Sequence, residues 1–298
     1  MGNQPGRGGA FLRPMIGGPD QNRALREALA LLKRCGVEKP EEIDLELIAW
    51  HAFKALVQER PLSHCNARVV RGHLRSLITV ASGTSRGRRR FNIAHEMGHL
   101  ALHPNMNQLA LCSVKEGFWQ YRARPEEAEA NFFAAELLMP EPLFSPRCQA
   151  EKPGFDLIEN LAGEFATSLT ATALRYVEHG PWDCCAVWSQ NGNIHWISTS
   201  ESFRWKVREG RLGPSTYALD FTENPGEATL LQKEVAAPQW LESDRGVARV
   251  REQSRPIGAE GLLTLLWVEA DPGEEWWGEE QDEPDPEHFT PDGRRKRW

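Results

Sequence analysis

The chain has 298 residues, of which 40% are hydrophobic and 26% charged, a composition typical of a soluble globular protein with room for two domains. Its formal net charge of −7 argues against generic nucleic-acid binding by the whole chain. No stretch approaches the roughly 20 apolar residues of a membrane span, and the first residues lack the apolar core of a signal peptide. The six cysteines form no C-x-x-C pair, so we expect reduced thiols and a cytoplasmic protein.

The first part of the chain is expected to contain a disordered terminus, two helices and a small sheet. Residues 1–20 are rich in glycine and proline, which predicts disorder. Apolar spacing predicts an amphipathic helix over Asn22–Cys35, and proline and acidic residues begin a second helix over Pro40–Trp50. Short strands are predicted at residues 53–58, 67–71 and 76–81. An edge strand of such a sheet could pair with an extended substrate backbone.

A basic segment follows the sheet and leads into the next helix. It contains Arg86, Arg88, Arg89 and Arg90, with Arg68, Arg71 and Arg75 nearby in the sequence. One interpretation is a solvated basic loop. The other is a contact patch for an anion or nucleic acid. Several cations at a helix N-terminus oppose the helix dipole, which indicates that they have a binding role.

The H-E-x-x-H pattern of His95, Glu96 and His99 lies in this helix. Residues four apart share one face of a helix, so the two histidines can bring two ring nitrogens to one metal ion. Glu96 is offset by one position and could accept a proton from a water molecule beside the metal. Gly98 would suit the close approach of another backbone or a substrate, and Pro104 ends the helix. The pattern predicts a catalytic zinc helix.

A catalytic zinc needs a third protein ligand and an open position. The best source is the predicted helix Pro125–Met139, which carries Glu126, Glu127 and Glu129 in its first turns. Glu127 shares a face with Asn131 and other inward positions, so we expect Glu127 to be the ligand. Glu126 and Glu129 lie off that face and are expected to complement the helix dipole.

Other residues are weaker candidates for roles at the same site. Cys112 lies between the two helices, where its thiolate could be an inhibitory fourth zinc ligand, although a buried inert cysteine is the alternative. His103 would lie roughly 12 Å along the helix from His95, too far for one metal to bind both, and is read as a helix-end histidine. Candidates to stabilise an oxyanion are His103, Tyr121 and Arg122.

The segments Arg90–His99 and Glu127–Pro140 together resemble the ImmA/IrrE family of bacterial zinc metallopeptidases. The resemblance covers about residues 40–180, with both motifs in the same order and at similar separation. It implies a zincin-like fold, zinc held by His95, His99 and Glu127, and Glu96 as the catalytic base. It also implies a substrate, because characterised relatives cut a helix-turn-helix repressor after DNA damage or during mobile-element or anti-phage responses.

The second half begins with a predicted helix pair, Leu157–Phe165 and Leu169–Glu178. It resembles the helix-turn-helix that some relatives carry, but the turn lacks glycine and the second helix has only Arg175 as a cation, so a packing pair is favoured. Beyond it, Asn191-Gly192 between two β-type runs predicts a hairpin. Its strands are predicted at 184–189 and 193–198, and later strands at 229–235, 247–251 and 262–269.

These patterns predict an α+β protein, with a zincin-like metallopeptidase domain that has a small sheet and active-site helices, then a helix pair and a mostly antiparallel C-terminal domain. The predicted segments are a disordered terminus (1–20), the metallopeptidase domain (21–152), the helix pair (153–181), a sensor-like or docking domain (182–270) and a flexible acidic tail (271–298).

The expected function is a cytoplasmic zinc endopeptidase that cleaves a helix-turn-helix transcriptional repressor in a stress, DNA-damage or anti-phage response, with DNA as a candidate activating signal. The alternative is a DNA-binding transcriptional regulator with a structural, non-proteolytic zinc site. A zinc amidase acting on small molecules is a further option.

Overall fold

The computed structural model describes residues 18–63, 65–105, 124–149, 152–223, 232–242, 247–258 and 261–269. Over these residues the protein is α+β, with eight α-helices and two β-sheets. The helices are α1 Gln21–Arg34, α2 Leu45–Phe53, α3 Arg86–Leu102, α4 Pro125–Leu138, α5 Glu141–Cys148, α6 Phe155–Phe165, α7 Leu169–His179 and α8 Tyr217–Glu223. The strands are β1 Ala55–Arg60, β2 Ala67–Arg71, β3 Ser76–Ala81, β4 Cys184–Gln190, β5 Asn193–Thr199, β6 Lys233–Ala236, β7 Arg249–Ile257 and β8 Gly261–Trp267.

Some predictions fall outside the described residues. They include most of the predicted disordered terminus, all of the acidic tail and the three candidate site residues Cys112, Tyr121 and Arg122. Apart from Glu269, the described residues belong to one compact unit. The division into domains stays a prediction. No helix among the described residues combines the length and the apolar character that crossing a membrane requires.

The single helix predicted over Pro40–Trp50 is divided in two. A short 3-10 turn covers Pro40–Glu42, and α2 then begins at Leu45. The break occurs because the Asp44 carboxylate accepts hydrogen bonds from the backbone N–H groups of Glu46 and Leu47, which starts a new helix. The acidic residue therefore caps α2 instead of lying inside a longer helix.

The first sheet has the strand order β1-β3-β2, with β1 parallel and β2 antiparallel to β3. The bounds of β2 and β3 match the prediction. β1 begins two residues later than predicted, because Lys54 adopts a left-handed conformation (φ 51°) that ends α2. Strand β2 lies at an edge of this sheet, next to α3.

Helices α3 and α4 pack closely against each other in the core of the first half. A β-carbon at Gly98 of α3 would lie 3.0 Å from the Cα of Ala130 in α4. The glycine thus permits the two backbones to approach, as its position in the motif suggested. Proline at the start of α4 suits a first helical turn, where its missing N–H has no partner to lose.

The second sheet has the order β5-β4-β8-β7-β6, and all its neighbouring strands are antiparallel. The predicted hairpin between β4 and β5 is confirmed: Asn191 and Gly192 have φ values of 51° and 73°, as a type I′ turn requires.

Helices α5 and α8 were not predicted. Phe144 and Cys148 of α5 are buried, so tertiary packing maintains this helix despite Pro146 inside it.

The helix pair α6–α7 contacts the turn Pro40–Glu42, helix α5 and strands β4 and β5. Arg175 of α7 is buried, forms an ion pair with Glu136 of α4 and donates to the Met139 carbonyl oxygen. At the other side, the backbone N–H of Phe155 donates to the Gln253 side chain in β7. These contacts support the packing interpretation, because the one cation of the second helix points into the core.

Candidate metal centre

His95 and His99 face each other one turn apart on α3. Their Nε2 atoms lie 3.1 Å apart, and the residues are only 1% and 4% exposed. The helical spacing of the motif therefore produces two nearly buried imidazole nitrogens directed at one point.

Glu127 of α4 approaches the same point. Its Oε2 lies 3.3 Å from the His95 Nε2, and its Oε1 lies 3.7 Å from the His99 Nε2. One ligand atom from each residue lies within 4.8 Å of the other two. In a tetrahedral zinc site with bonds of ~2.0–2.1 Å, neighbouring ligand atoms are roughly 3.3 Å apart. These two nitrogens and the carboxylate therefore fit a bound zinc ion.

Asn131 lies one turn beyond Glu127 and orients the first histidine. Its Oδ1 lies 2.9 Å from the Nδ1 of His95. An amide oxygen only accepts, so Nδ1 carries the proton and the lone pair of Nε2 faces Glu127. Sequence analysis placed Asn131 on the same face as Glu127 but did not identify this contact.

His103 and Glu129 form a further pair behind His99. The Nδ1 of His103 lies 3.1 Å from the Nδ1 of His99, and its Nε2 lies 2.9 Å from Glu129 Oε2. Both ring nitrogens of His103 thus have protein partners, which favours an orienting role over the oxyanion role considered from the sequence. The spacing of four residues after His99 was the available signal for this contact.

Residues 51–176 match a peptidase family model described as the IrrE N-terminal-like domain. We call residues 51–176 the IrrE-like domain because of this match. The match includes α3, α4 and the three residues whose ligand atoms converge, and it confirms the predicted ImmA/IrrE resemblance.

A solved structure shows a similar fold. A Mycobacterium tuberculosis transcriptional regulator aligns with a TM-score of 0.56 and 15% sequence identity, over 83% of this chain and 76% of its own. At this identity the likeness concerns the fold alone. No curated protein matches the chain.

Electrostatics in the IrrE-like domain keep the ligand atoms available for a metal. Burial lowers the pKa of His99 to about 3, with the adjacent His95 adding to the shift and Glu127 opposing it. Burial would raise the pKa of Glu127, but the electrostatic effects of His95, His99 and the nearby Arg124 outweigh it and lower the pKa. At neutral pH the site therefore offers an unprotonated imidazole and an ionised carboxylate.

Glu96 of the IrrE-like domain follows His95 in the sequence and is fully buried. Cys65, in the loop before β2, lies within electrostatic range of it. Burial raises the pKa of the Cys65 thiol; the charge of Arg68 opposes that shift and the Glu96 carboxylate adds to it. Sequence analysis considered Cys112 for this region and did not single out Cys65.

Two arginines hold the C-terminal end of α3 in the IrrE-like domain. Arg71 of β2 donates to the carbonyl oxygens of His99 (2.6 Å) and His103 (2.9 Å). Arg23 of α1 donates to the Leu102 carbonyl oxygen at 2.8 Å. Cations at this end complement the helix dipole and bind carbonyl oxygens at the end of the helix. Arg71 thus supports the metal helix, a role that sequence analysis missed when it grouped Arg71 with the basic patch.

The four arginines of the predicted nucleic-acid patch have different surroundings. They lie in the first turns of α3, so the segment is helical and not a loop. Arg89 pairs with Glu46 at 2.6 Å, and Arg90 donates to the Ile43 carbonyl oxygen. Arg86 and Arg88 are exposed. Two of the four therefore hold α3 against its neighbours, and two face solvent.

Proposed function

We propose that the IrrE-like domain is a zinc-dependent endopeptidase with a zincin-like active site. It acts in the cytoplasm and cuts a helix-turn-helix transcriptional repressor in a stress, DNA-damage or anti-phage response. The observation that carries the proposal is the convergence of His95, His99 and Glu127, whose ligand atoms lie within 4.8 Å of one another. Glu96, the residue after His95, is buried. Two imidazoles, one carboxylate and a second acidic residue that could serve as a base are the set that metallopeptidase chemistry needs.

In this proposal the chain's own residues have separate tasks. His95, His99 and Glu127 hold the zinc ion. When bound, zinc polarises the scissile carbonyl and makes a nearby water molecule more acidic. Glu96 takes the proton from that water molecule and delivers it to the leaving amine. Its burial excludes bulk water, which keeps the proton on this path.

The edge strand β2 offers a place for the substrate backbone. It borders α3 and has a neighbour strand on only one side among the described residues. Leu74, just beyond β2, is 92% exposed, and Val70 within it is 39% exposed. We infer that an extended repressor segment pairs along β2, with apolar side chains contacting these two residues.

The test combines metal analysis with a cleavage assay. The protein is produced together with the repressor encoded beside it, with and without DNA damage, and fragments are identified by mass spectrometry. Glu96→Gln should abolish cleavage while zinc content stays at the wild-type level, and Glu126→Gln on α4 should leave both unchanged. Cleavage by the Glu96→Gln variant, or a purified wild-type protein that binds no zinc, contradicts the proposal.

The second candidate is a DNA-binding regulator with a structural zinc site. The similar M. tuberculosis protein is called a transcriptional regulator, and Arg86 and Arg88 face solvent at the start of α3. The same two arginines would contact DNA if DNA is the activating signal of the peptidase. Their double replacement by glutamine should then weaken DNA binding and lower its salt dependence by about two counterions. Unchanged salt dependence excludes this patch, and zinc binding without any repressor fragment favours the regulator.

A further inference from the structure

Behind His99, two side chains continue the line of contacts away from the metal site. The His99 Nδ1 lies 3.1 Å from the His103 Nδ1, and the His103 Nε2 lies 2.9 Å from the Glu129 Oε2. The His103 and Glu129 side chains are 8% and 12% exposed, so water has little access to these contacts. Glu129, His103 and His99 form one continuous relay, which we call the His103–Glu129 relay.

The direction of the hydrogen bonds in this relay follows from the carboxylate. An ionised carboxylate only accepts, so the His103 Nε2 must carry the proton that faces it. With one proton on the ring, the Nδ1 of His103 is then an acceptor, and the Nδ1 of His99 must donate to it. This leaves the lone pair of the His99 Nε2 directed at Glu127 and His95. The reverse direction would place two lone pairs against each other at Glu129, at the cost of an unpaired buried acceptor.

We propose that Glu129 and His103 are positioning residues that fix the tautomer and ring orientation of His99 for metal binding. This inference rests on the proposed zinc site and deepens it. Residues behind a metal-binding histidine commonly have this effect, because the second ring nitrogen determines which way the first one points. Here the carboxylate acts through an intervening imidazole.

Both ends of the relay are fixed to other parts of the fold. The Glu129 Oε1 accepts the backbone N–H of Asp20, which precedes α1, at 2.9 Å. At the other end, Arg71 binds the carbonyl oxygens of His99 and His103. The relay therefore holds the His99 ring in place before a metal arrives, and this orientation should raise metal affinity.

A purely structural role for Glu129 is the competing explanation, since its bond to Asp20 could simply anchor α1. The two explanations differ at His103. Removing the imidazole breaks the relay but leaves the Asp20–Glu129 hydrogen bond in place. Replacing Glu129 by glutamine keeps the size of the side chain but introduces an amide that can donate to His103 and permit the reverse direction.

The experiment measures zinc affinity by competition with a chromophoric chelator, and the visible spectrum of the cobalt(II)-substituted protein. We expect Glu129→Gln and His103→Ala each to weaken zinc binding about 10–100-fold and to change the cobalt spectrum. The double variant should bind zinc about as tightly as the single variant with the lower affinity, because both residues act through one relay. Glu126→Gln, less than one turn before Glu129 on α4, should match the wild type.

Each outcome decides one question. Wild-type affinity in both single variants overturns the relay and leaves the proposed zinc site standing. Weak binding in Glu129→Gln alone assigns Glu129 to anchoring α1 and also overturns the relay. A wild-type protein that binds no zinc overturns the proposed function itself. If Glu129→Gln lowers the melting temperature of the metal-free protein, His103→Ala decides the matter.

Discussion

Gly98 and Ala130 lie in contact where α3 crosses α4, and this contact brings the two halves of the metal site together. A β-carbon at position 98 would lie 3.0 Å from the Ala130 Cα and 3.2 Å from its carbonyl oxygen. Because both neighbours are backbone atoms, they cannot rotate away. Any side chain at position 98 must push α4, and Glu127 with it, away from the two histidines.

The first prediction concerns Gly98→Ala. Alanine favours a helix over glycine by about 1 kcal/mol, but the enforced separation of α3 and α4 should cost about 1–3 kcal/mol and so outweigh that gain. We expect a lower melting temperature in the metal-free protein and weaker zinc binding. Gly163→Ala in α6 is the matched control, because a β-carbon there has no atom within 4 Å and should be neutral or stabilising. Equal zinc affinity in Gly98→Ala and wild type would contradict the account.

The sequence predicted those parts of the site whose spacing lies within one helix. The four-residue step from His95 to His99 places both on one face, and the same step from Glu127 to Asn131 identified the inward face of α4. The order of two motifs then suggested that the helices meet. Gly98 indicated a close approach, although not that Ala130 is its partner.

Contacts that depend on the rotation of one helix against another were not predictable in the same way. Glu129 was placed off the inward face of α4, yet it contacts His103 because α3 ends beside it. The prediction of one helix over Pro40–Trp50 was wrong for a local reason, since Asp44 caps a new helix. The roles of Cys112, Tyr121 and Arg122 stay predictions.

The second prediction concerns the amide that orients His95. Asn131→Ala removes the acceptor 2.9 Å from the His95 Nδ1, so the ring can rotate or change tautomer. We expect zinc affinity to fall about 10-fold or more, with little loss of folding. Asn131→Asp keeps an acceptor at the same place and should retain binding. A chelator competition assay measures both, and equal affinities for the alanine and aspartate variants would exclude an orienting role.

The third prediction concerns pH and the metal-free protein. In the unfolded chain His99 takes up a proton near pH 6.5, whereas burial lowers its pKa to about 3 in the folded state. Between these values the unfolded state binds more protons, so stability is full above about pH 6.5 and falls as the pH decreases. The slope approaches about 1.4 kcal/mol per pH unit.

Chemical unfolding of the metal-free protein between pH 5 and 7.5 measures this dependence. We expect a loss of about 2 kcal/mol on acidification from pH 7 to pH 5 in the wild type. His99→Gln removes the titrating group and should show a clearly flatter profile. Parallel profiles for the two proteins would mean that His99 does not remain unprotonated in the folded state.

The last prediction concerns the ion pair between Arg175 and Glu136, which joins α7 to α4. Both side chains are almost fully buried, at 3% and 2% exposure. Arg175→Met keeps much of the side-chain volume but leaves the Glu136 carboxylate without its counter-charge, and should cost about 3–5 kcal/mol of unfolding free energy. Arg147→Ala, which breaks the partly exposed pair with Glu164, should cost at most about 1 kcal/mol.

A double variant distinguishes the effect of the uncompensated Glu136 charge on stability from the effect of lost contacts. Glu136→Gln added to Arg175→Met removes the uncompensated charge, and the amide oxygen can still accept the backbone N–H of Glu141, as the carboxylate does at 2.8 Å. If the buried charge causes the loss, the double variant should recover a large part of it in urea unfolding. If the double variant is as unstable as Arg175→Met, the lost contacts of Arg175 with the Met139 carbonyl oxygen and with Glu178 are the cause instead. In either case α7 contributes stability to the same helix that carries Glu127.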